Sequence, residues 1–227
     1  MLHEMSAPAI RTSGLTKDYG DGKGIFDLEL QVSAGESFGL LGEEGAGKTT
    51  VVRLLMGMIR PTRGSAYIFG LDCLREAVEV KRRVGYMPDA TPEFGAMRGG
   101  EIVAYLAGLR GGVHRDRVHE LAERFDLDLG RPDGEYSLRD RRKLSIVLAF
   151  MHEANLLILD EPAQDLDTQA AAELNAVIDE ARDDGTAILL ASRVVSDVER
   201  HCDRVGTLRH GRVSRQLEEQ SRQALPP

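Results

Sequence analysis

The sequence predicts an α/β fold, because short apolar runs alternate with longer segments of helical periodicity. The runs at residues 37–41, 156–159 and 187–191 are compact and apolar, as expected of buried parallel strands. Residues 26–32 instead alternate apolar and polar side chains, which predicts a half-solvated antiparallel strand. The length of 227 residues suits one well-buried core, or a core with a small inserted subdomain.

Helical patterns fill the intervals between these strands. We expect helices directly after Gly47 and around residues 74–83, 167–183 and 195–202. Residues 89–144 are rich in charge and in helix formers, with glycine pairs at 99–100 and 111–112, and predict a mostly helical insertion. One domain is therefore expected, with a core from about residues 1–88 and 145–227 and a helical subdomain at about 89–144. The polar tail after Val213 predicts a frayed end.

Composition and charge disfavour several classes of protein. With 42% hydrophobic and 29% charged residues, the chain has the composition of a soluble globular protein, and its net charge of −8 disfavours a general nucleic-acid binder. The basic cluster at residues 139–143 is predicted to be a solvated helix face.

No stretch approaches the roughly 20 apolar residues of a membrane span, and residues 1–10 lack the apolar region of a secretory signal. Cys73 and Cys202 are predicted to be reduced thiols.

The segment Gly-Glu-Glu-Gly-Ala-Gly-Lys-Thr-Thr at residues 42–50 fits the phosphate-loop pattern G-x-x-x-x-G-K-[ST], between an apolar strand and an amphipathic segment. Its glycines let backbone N–H groups approach phosphate, and the next helix directs its positive end at the anion. We expect Lys48 to lie between the β and γ phosphates and Thr49 to ligate Mg²⁺. The two glutamates add negative charge beside the loop, which is unfavourable for a phosphate ligand unless they point outward. The predicted nucleotide-binding residues of the loop are Gly42, Glu43, Glu44, Gly45, Ala46, Gly47, Lys48, Thr49 and Thr50.

The apolar run at residues 156–159 ends in two consecutive acids, Asp160 and Glu161. Carboxylates at the end of a buried strand are costly unless a cation or hydrogen bonds compensate them. We expect Asp160 to hold Mg²⁺ through water and Glu161 to polarise an attacking water as a general base. The alternative is an exposed acidic turn, which the upstream phosphate loop disfavours.

These two motifs, followed by Asp-Leu-Asp at residues 165–167, resemble those of ABC transporter nucleotide-binding domains. The resemblance extends from Gly-Leu-Thr-Lys-Asp-Tyr at 14–19 to His-Gly-Arg-Val at 210–213. Gly-Tyr-Met-Pro at 85–88 is similar to a segment of the motor subunits of bacterial multidrug, antibiotic and polysaccharide exporters. The resemblance as a whole implies a P-loop NTPase of ABC type, with a mixed sheet core, an antiparallel β subdomain and an inserted helical subdomain.

The resemblance also implies roles for residues outside the two motifs. Tyr19 matches the aromatic that stacks on adenine, with a plain surface tyrosine as the alternative. Asp167 matches an aspartate at the seam between two such domains. Ser137 matches the serine that contacts the γ-phosphate held by the opposite subunit. The implied cofactors are ATP and Mg²⁺.

Three positions depart from the family pattern. Tyr-Ser-Leu-Arg-Asp at residues 136–140 replaces the usual Leu-Ser-Gly-Gly-Gln, so Leu138 and Arg139 bring side chains to a place where glycines let a helix end approach phosphate. Arg193 stands where the family has a catalytic histidine, and it either contacts phosphate or turns to solvent. Asp89 replaces a glutamine and preserves an oxygen ligand for Mg²⁺.

The function implied by the resemblance is that of the ATP-binding motor subunit of an exporter. The implied partners are integral membrane subunits, docked on the helical insertion, and a second ATP-binding subunit, identical or different. The implied location is the cytoplasmic face of the membrane. The alternative is a degenerate subunit that binds ATP, hydrolyses little and serves as the weak half of a heterodimer. An ABC ATPase of DNA repair or translation is disfavoured, because neither coiled-coil arms nor a tandem domain is visible in the 227 residues.

Overall fold

The computed structural model describes residues 7–217, which form two sheets and seven α-helices within that range. The strands are β1 (Ile10–Asp18), β2 (Gly24–Leu28), β3 (Gln31–Val32), β4 (Ser37–Leu41), β5 (Arg63–Ile68), β6 (Leu71–Asp72), β7 (Val84–Met87), β8 (Leu156–Asp160), β9 (Ala187–Ser192), β10 (Arg204–Arg209) and β11 (Arg212–Leu217). The helices are α1 (Lys48–Leu55), α2 (Ala77–Arg83), α3 (Gly99–Leu109), α4 (Arg115–Arg124), α5 (Leu138–Phe150), α6 (Thr168–Asp183) and α7 (Val195–His201). The end of the polar tail, residues 218–227, lies outside the described residues. Residues 1–6, which are most of the N-terminal segment expected to lack a secretory signal, also lie outside them.

The larger sheet has the strand order β11-β10-β4-β9-β8-β7, and all its neighbouring strands are parallel except the β10–β11 pair. All three predicted buried strands, β4, β8 and β9, are confirmed and lie at its centre. The residues of β8 and β9 are buried throughout, as expected of strands with helices on both faces. Because these strands are parallel, their carboxyl ends meet at one edge of the sheet, where α/β proteins bind ligands.

The smaller sheet is antiparallel and is built around β1, which pairs with β2, β3 and β5. The single strand predicted over residues 26–32 is wrong, because the chain forms β2 and β3 with a break between them. Asp27 has a positive φ of 51°, which disrupts the alternation of the strand, so that Ile25 and Leu28 are both buried while Phe26 is only half-buried. The apolar residues at the end of the segment, Leu30 and Val32, are buried as the pattern predicts.

The predicted helices form, with shifts at their ends that local hydrogen bonds explain. Helix α1 begins at Lys48, directly after Gly47. Helix α2 begins at Ala77 rather than near residue 74, because the Asp72 carboxylate accepts hydrogen bonds from the two amides at 74 and 75 and holds that stretch in a turn. Helix α6 begins at Thr168, with Asp167 as its N-cap.

The segment between β7 and β8 contains α3, α4 and α5, and these helices share a buried apolar cluster with the neighbouring part of the large sheet. Helix α5 runs without interruption through Leu144, where the helical insertion was expected to end. Its second half, residues 144–150, is buried and packs on β7. The helical segment is thus joined to the sheet by a single continuous helix.

The described residues bear on two further expectations, which concern membrane-spanning segments and the state of the two cysteines. Within residues 7–217, no helix combines the length and the apolar character that crossing a membrane requires. Cys73 and Cys202 are free thiols, as predicted, and burial raises the pKa of each to about 12.

Candidate nucleotide-binding site

A cavity of about 320 Å³ lies at the carboxyl edge of the large sheet, where the segments after β4, β7, β8 and β9 converge. The residues that line it are Glu43, Glu44, Gly45, Gly47, Lys48, Thr49, Thr50, Asp89, Glu161, Gln164 and Arg193. The fold therefore brings most of the predicted site residues to one place. Gln164 is a lining residue that the sequence reasoning did not identify.

The phosphate loop joins β4 to α1, and its shape depends on glycine. Gly47 has a φ of 110° and a Cβ there would lie 2.5 Å from the Ile25 side chain. At Gly42 a Cβ would lie 2.8 Å from the backbone oxygen of Leu208. Gly45 also has a positive φ, of 74°. The glycines thus let the loop curl tightly against its neighbours. The two glutamates of the loop are exposed and line the cavity, so their negative charges lie beside the phosphate loop.

Lys48 is nearly buried, with 6% of its side chain exposed. Its ammonium donates hydrogen bonds to the backbone oxygens of Gly42, at 2.6 Å, and Glu43, at 3.1 Å. It also forms an ion pair with the Glu161 carboxylate, at 3.0 Å. The loop therefore concentrates one positive charge at its mouth, next to the acid predicted to be the general base.

Asp160 ends β8 in a fully buried position. Its pKa is raised to about 6, chiefly by burial, with smaller contributions from the carboxylates of Asp89 and Glu161, while a hydrogen bond from the Thr49 side chain opposes the rise. Among the described residues neither carboxylate oxygen has a hydrogen-bond partner of normal geometry. A buried, unpaired carboxylate beside a hydroxyl is stabilised by a divalent cation, so these residues fit Mg²⁺.

The protein alone does not complete such a site. Within residues 7–217 no group of three or more His, Cys, Asp or Glu residues is placed to hold a metal ion. Mg²⁺ prefers oxygen ligands and usually keeps several waters or phosphate oxygens. The geometry thus suits a cation that arrives with a phosphate ligand better than a resident structural ion.

Glu161 is held in a fixed orientation facing the loop. Its φ is +49°, an uncommon backbone conformation for a residue with a side chain. Its amide donates to the Ala191 oxygen at 2.8 Å. Its carboxylate lies between the Lys48 ammonium, at 3.0 Å, and the Arg193 amide, which donates to the other oxygen at 3.2 Å. Contacts from α1 and from the end of β9 thus aim this acid into the cavity.

The Arg193 side chain is exposed and lines the cavity. Its position is compatible with both interpretations left open by the sequence, phosphate contact and solvation. Tyr19 is 54% exposed and does not line the cavity, and the Lys17 ammonium lies 5.3 Å from its ring centroid. An exposed aromatic ring on the antiparallel sheet is available for stacking, but the cavity itself does not include it.

Ser137 lies apart from the cavity, in a surface hollow at the start of α5 that Arg139 and Asp167 also line. Its hydroxyl donates to the Asp140 carboxylate at 2.8 Å, and the amide of residue 140 donates back to the hydroxyl at 3.1 Å. The Arg139 guanidinium pairs with the Asp167 carboxylate at 3.2 Å. Within one chain, the two predicted seam residues are therefore already engaged, Ser137 with Asp140 and Asp167 with Arg139.

Arg142, which lies behind the cavity, is a second residue of functional interest that the sequence pattern did not reveal. The prediction that residues 139–143 form a solvated face is wrong at this position, because Arg142 is only 1% exposed. Its guanidinium donates to the backbone oxygens of Pro88 at 2.6 Å, Asp89 at 2.9 Å and Asp160 at 3.2 Å, and also to that of Glu161. The available signal was its spacing of four residues from the buried position 146, which places it on the inner face of α5.

Comparisons with known proteins agree with this geometry. A family model described as "ABC transporter" matches residues 25–164. The chain is 32% identical over 211 residues to the bacitracin transport ATP-binding protein BcrA of Bacillus licheniformis, covering 92% of this chain and 69% of that protein. It is 36% identical over 214 residues to the daunorubicin resistance ATP-binding protein DrrA3 of Streptomyces coeruleorubidus, covering 92% of this chain and 68% of that protein.

A solved structure described as the ATP-binding subunit of an ABC transporter superposes with a TM-score of 0.84 at 27% identity, covering 92% of this chain and 90% of that one. The P-loop NTPase fold of ABC type is thereby confirmed, with its mixed sheet and its antiparallel sheet. The phosphate loop, the aligned family and the superposed fold lead to one conclusion. The chain belongs to the ABC transporter family, as an ATP-binding subunit.

Proposed function

We propose that this chain binds MgATP in the cavity at the sheet edge and hydrolyses it to drive export by separate membrane subunits. The observation that carries the proposal is the Glu161 carboxylate held 3.0 Å from the Lys48 ammonium, beside the buried and unpaired carboxylate of Asp160. Lys48 and Glu161 line the cavity, and Asp160, the acid that we propose as a ligand of Mg²⁺, lies directly before Glu161 in the chain. ATP-binding domains of this family are ATPases as a class.

In this proposal the phosphate loop binds the nucleotide through its backbone amides and the Lys48 ammonium. Thr49, Asp160 and Asp89 hold Mg²⁺, which when bound neutralises phosphate charge. Tyr19 stacks on the adenine from the antiparallel sheet. Lys48 exchanges its ion pair with Glu161 for phosphate oxygens, and this exchange frees the carboxylate.

The freed Glu161 carboxylate accepts a proton from the attacking water, which it also orients. The Arg193 amide keeps one of its oxygens in place through the contact at 3.2 Å. The other oxygen, which faces Lys48, is the one that becomes available to water. Glu161 thus acts as the general base, and its orientation is set by the backbone rather than by a flexible loop.

The proposed partners follow from the exposed surface and from the relatives. Helix α3 exposes Tyr105 and Leu109, at 59% and 57%, one turn apart on a face suited to an apolar partner element. We take the helical segment α3–α5 as the subdomain that docks membrane-embedded subunits. The names of the relatives concern bacitracin transport and daunorubicin resistance, which supports an exporter. The proposed location is the cytoplasmic face of the membrane, through these partners.

A second candidate function, a subunit that binds ATP but hydrolyses it weakly, is favoured by the start of α5. There the Asp140 carboxylate already occupies the helix N-terminus through its hydrogen bonds with Ser137. A helix N-terminus that offers its donors to its own carboxylate is less able to receive the phosphate of a partner subunit. Such a chain would supply one competent site and one poor site in a heterodimer.

The test is phosphate release from MgATP by wild type and by Glu161→Gln. The substitution keeps the shape of the side chain and its ability to accept from the Arg193 amide, but it removes the base. We expect MgATP affinity to be retained and turnover to be suppressed by about 10²-fold or more. Glu153→Gln, at an exposed position away from the cavity, is the control.

Equal turnover by Glu161→Gln and wild type would show that another group activates the water. Robust turnover by the unmodified chain alone would refute the weak-subunit alternative. Binding of MgATP without measurable turnover, in wild type as well, would favour that alternative instead.

A further inference from the structure

Arg142 is a buried cation held almost entirely by backbone oxygens. It is the largest of the side chains that are fully buried in the described part of the molecule. Burial lowers its pKa, and the nearby carboxylates of Asp89, Asp165 and Asp160 oppose that effect. A buried charge is costly unless it forms well-aligned hydrogen bonds, so a role in filling space alone does not explain it.

The oxygens that it contacts belong to two neighbouring strand ends. Strands β7 and β8 are parallel, and their last paired residues are Met87 and Leu159. One guanidinium nitrogen donates to the two oxygens just after β7, those of Pro88 and Asp89. The other donates to the two at the end of β8, which belong to the acids of the site. The guanidinium thus ties the two chains together where their ladder stops.

The same residue belongs to the helix that carries the predicted subunit seam. Ser137 is the N-cap of α5, and Arg142 follows five residues later, about 7.5 Å along the helix axis. A rigid helix turn therefore separates the Ser137 hollow from the oxygens behind Glu161. Any movement of the start of α5 reaches those oxygens through the guanidinium.

We propose that Arg142 is a positioning residue for ATP hydrolysis. It fixes Glu161 relative to the segment that follows β7, which contains Asp89, and it couples both of these segments to the start of α5. The inference rests on the proposed function. Arg142 lies behind the cavity and is not among the residues that line it, so it acts through the backbone of the acids rather than on the nucleotide. Displacement of a reacting group by about 1 Å costs about 10²-fold in rate.

The chemistry of the site requires arginine at this position. The guanidinium is planar and carries five donors in a rigid fork, so its two terminal nitrogens can serve two separate pairs of oxygens. A lysine ammonium is a point donor and can serve one strand end but not both. A methionine fills the volume and leaves all four oxygens without this donor. The number of strand ends that residue 142 can hold therefore falls from two with arginine to one with lysine and none with methionine.

The experiment compares wild type, Arg142→Lys and Arg142→Met, with Arg141→Met as the matched control. Arg141 is the preceding residue of α5, and its guanidinium contacts Glu93, the backbone oxygen of Asp133 and, at 3.7 Å, the buried Asp133 carboxylate, all of them away from the strand ends. Three quantities are measured for each chain. They are hydrogen exchange of the nucleotide-free protein, MgATP affinity by calorimetry, and kcat and KM for MgATP.

We expect Arg142→Met to raise exchange at least about tenfold in peptides covering residues 84–92 and 158–164, because four backbone oxygens lose their donor. Exchange in a peptide covering β4 should stay unchanged. The dissociation constant for MgATP should change less than about threefold, while kcat falls about 10²-fold with little change in KM. Arg142→Lys should lie between, and the control should match wild type.

Unchanged exchange at both strand ends in Arg142→Met would overturn the proposal, and so would a rise spread evenly over the sheet, which indicates a general loss of stability. If Arg142→Met does not fold, Arg142→Lys decides by the same local pattern. If wild type turns over too slowly to measure, the exchange data still decide whether Arg142 fixes the strand ends. Failure of wild type to bind MgATP would contradict the proposed function. It would not affect the conclusion from hydrogen exchange on whether Arg142 fixes the two strand ends.

Discussion

Asp160 places a carboxylate in a fully buried position, where the nearest donor among the described residues is the Thr49 side chain. Burial is the main reason that its pKa rises from the ordinary 3.8 to about 6. The same residue is the proposed ligand of Mg²⁺, for which the ionised form is needed. A position that costs stability in the nucleotide-free protein is thereby prepared for a cation, a balance that is common at functional sites.

This position predicts a specific pH dependence of stability in the absence of Mg²⁺. Because the folded state binds the Asp160 proton more tightly than the unfolded state, the free energy of unfolding is higher below pH 4 than above pH 6 as far as this group is concerned. The difference between a pKa of 3.8 and one of about 6 corresponds to a loss on the order of 3 kcal/mol as pH rises through that window. Asp160→Asn should abolish this loss.

The measurement is urea unfolding of wild type and Asp160→Asn from pH 4 to pH 7 without divalent cations. Asp184→Asn, at an exposed position, serves as the control for a lost charge. The stability difference between wild type and Asp160→Asn should grow in favour of the variant as pH rises. Parallel curves would show that Asp160 is not destabilised by its burial.

At the scale of single elements, the start of α5 is the place where we expect a partner subunit to make contact. Ser137 and Asp140 form a capping box that satisfies the first amides of the helix. The ion pair between Arg139 and Asp167 is exposed to solvent, which screens it, so it contributes little to stability and is easily exchanged for another contact. Side chains at 138 and 139, rather than a rigid barrier, thus stand in the way of a close approach to phosphate.

Replacing Leu138 and Arg139 together by glycine should therefore raise MgATP turnover of the isolated chain. The substitutions remove side-chain bulk from the helix start and free Asp167 of its partner at 3.2 Å. Since donors aimed at developing charge are worth about 10²–10³ in rate each, a real effect should be large. Steady-state phosphate release on both proteins measures it.

The cost to the helix has to be followed in parallel. Two glycines in the first turn of α5 destabilise the fold by about 1 kcal/mol each. Thermal unfolding of the double variant should show a modest decrease and a single transition. A folded variant without faster turnover would show that the side chains at 138 and 139 do not limit turnover, and Arg193 would then be the next position to vary.

At the scale of the whole molecule, the parts that the sequence predicts are those encoded by contiguous residues. The strands β4, β8 and β9 follow from local apolar runs, and the phosphate loop from nine consecutive residues at the end of the first of them. The break between β2 and β3 escaped prediction because it depends on the positive φ of Asp27, an aspartate in a pattern that otherwise alternates. Local periodicity carries no sign of such a turn.

The predicted site is incomplete for a related reason. Arg142 bonds to oxygens 54 and 18 residues away along the chain, and those partners are backbone atoms that any residue type supplies. The orientation of Glu161 likewise comes from the Arg193 amide, 32 residues away. Residue types reveal which side chains can do chemistry, while their alignment depends on contacts that only the folded chain creates.

The central claim is that the phosphate loop of this chain binds MgATP, and calorimetric titration of MgATP into wild type and Lys48→Ala tests it most directly. Lys48 supplies the one ammonium that the loop holds among the cavity-lining residues described. Its loss removes charge-assisted contacts worth several kcal/mol in total, so affinity should fall by about 10²-fold or more. Lys81→Ala, at an exposed position of α2, should bind as wild type does. Equal affinity of wild type and Lys48→Ala would contradict the account.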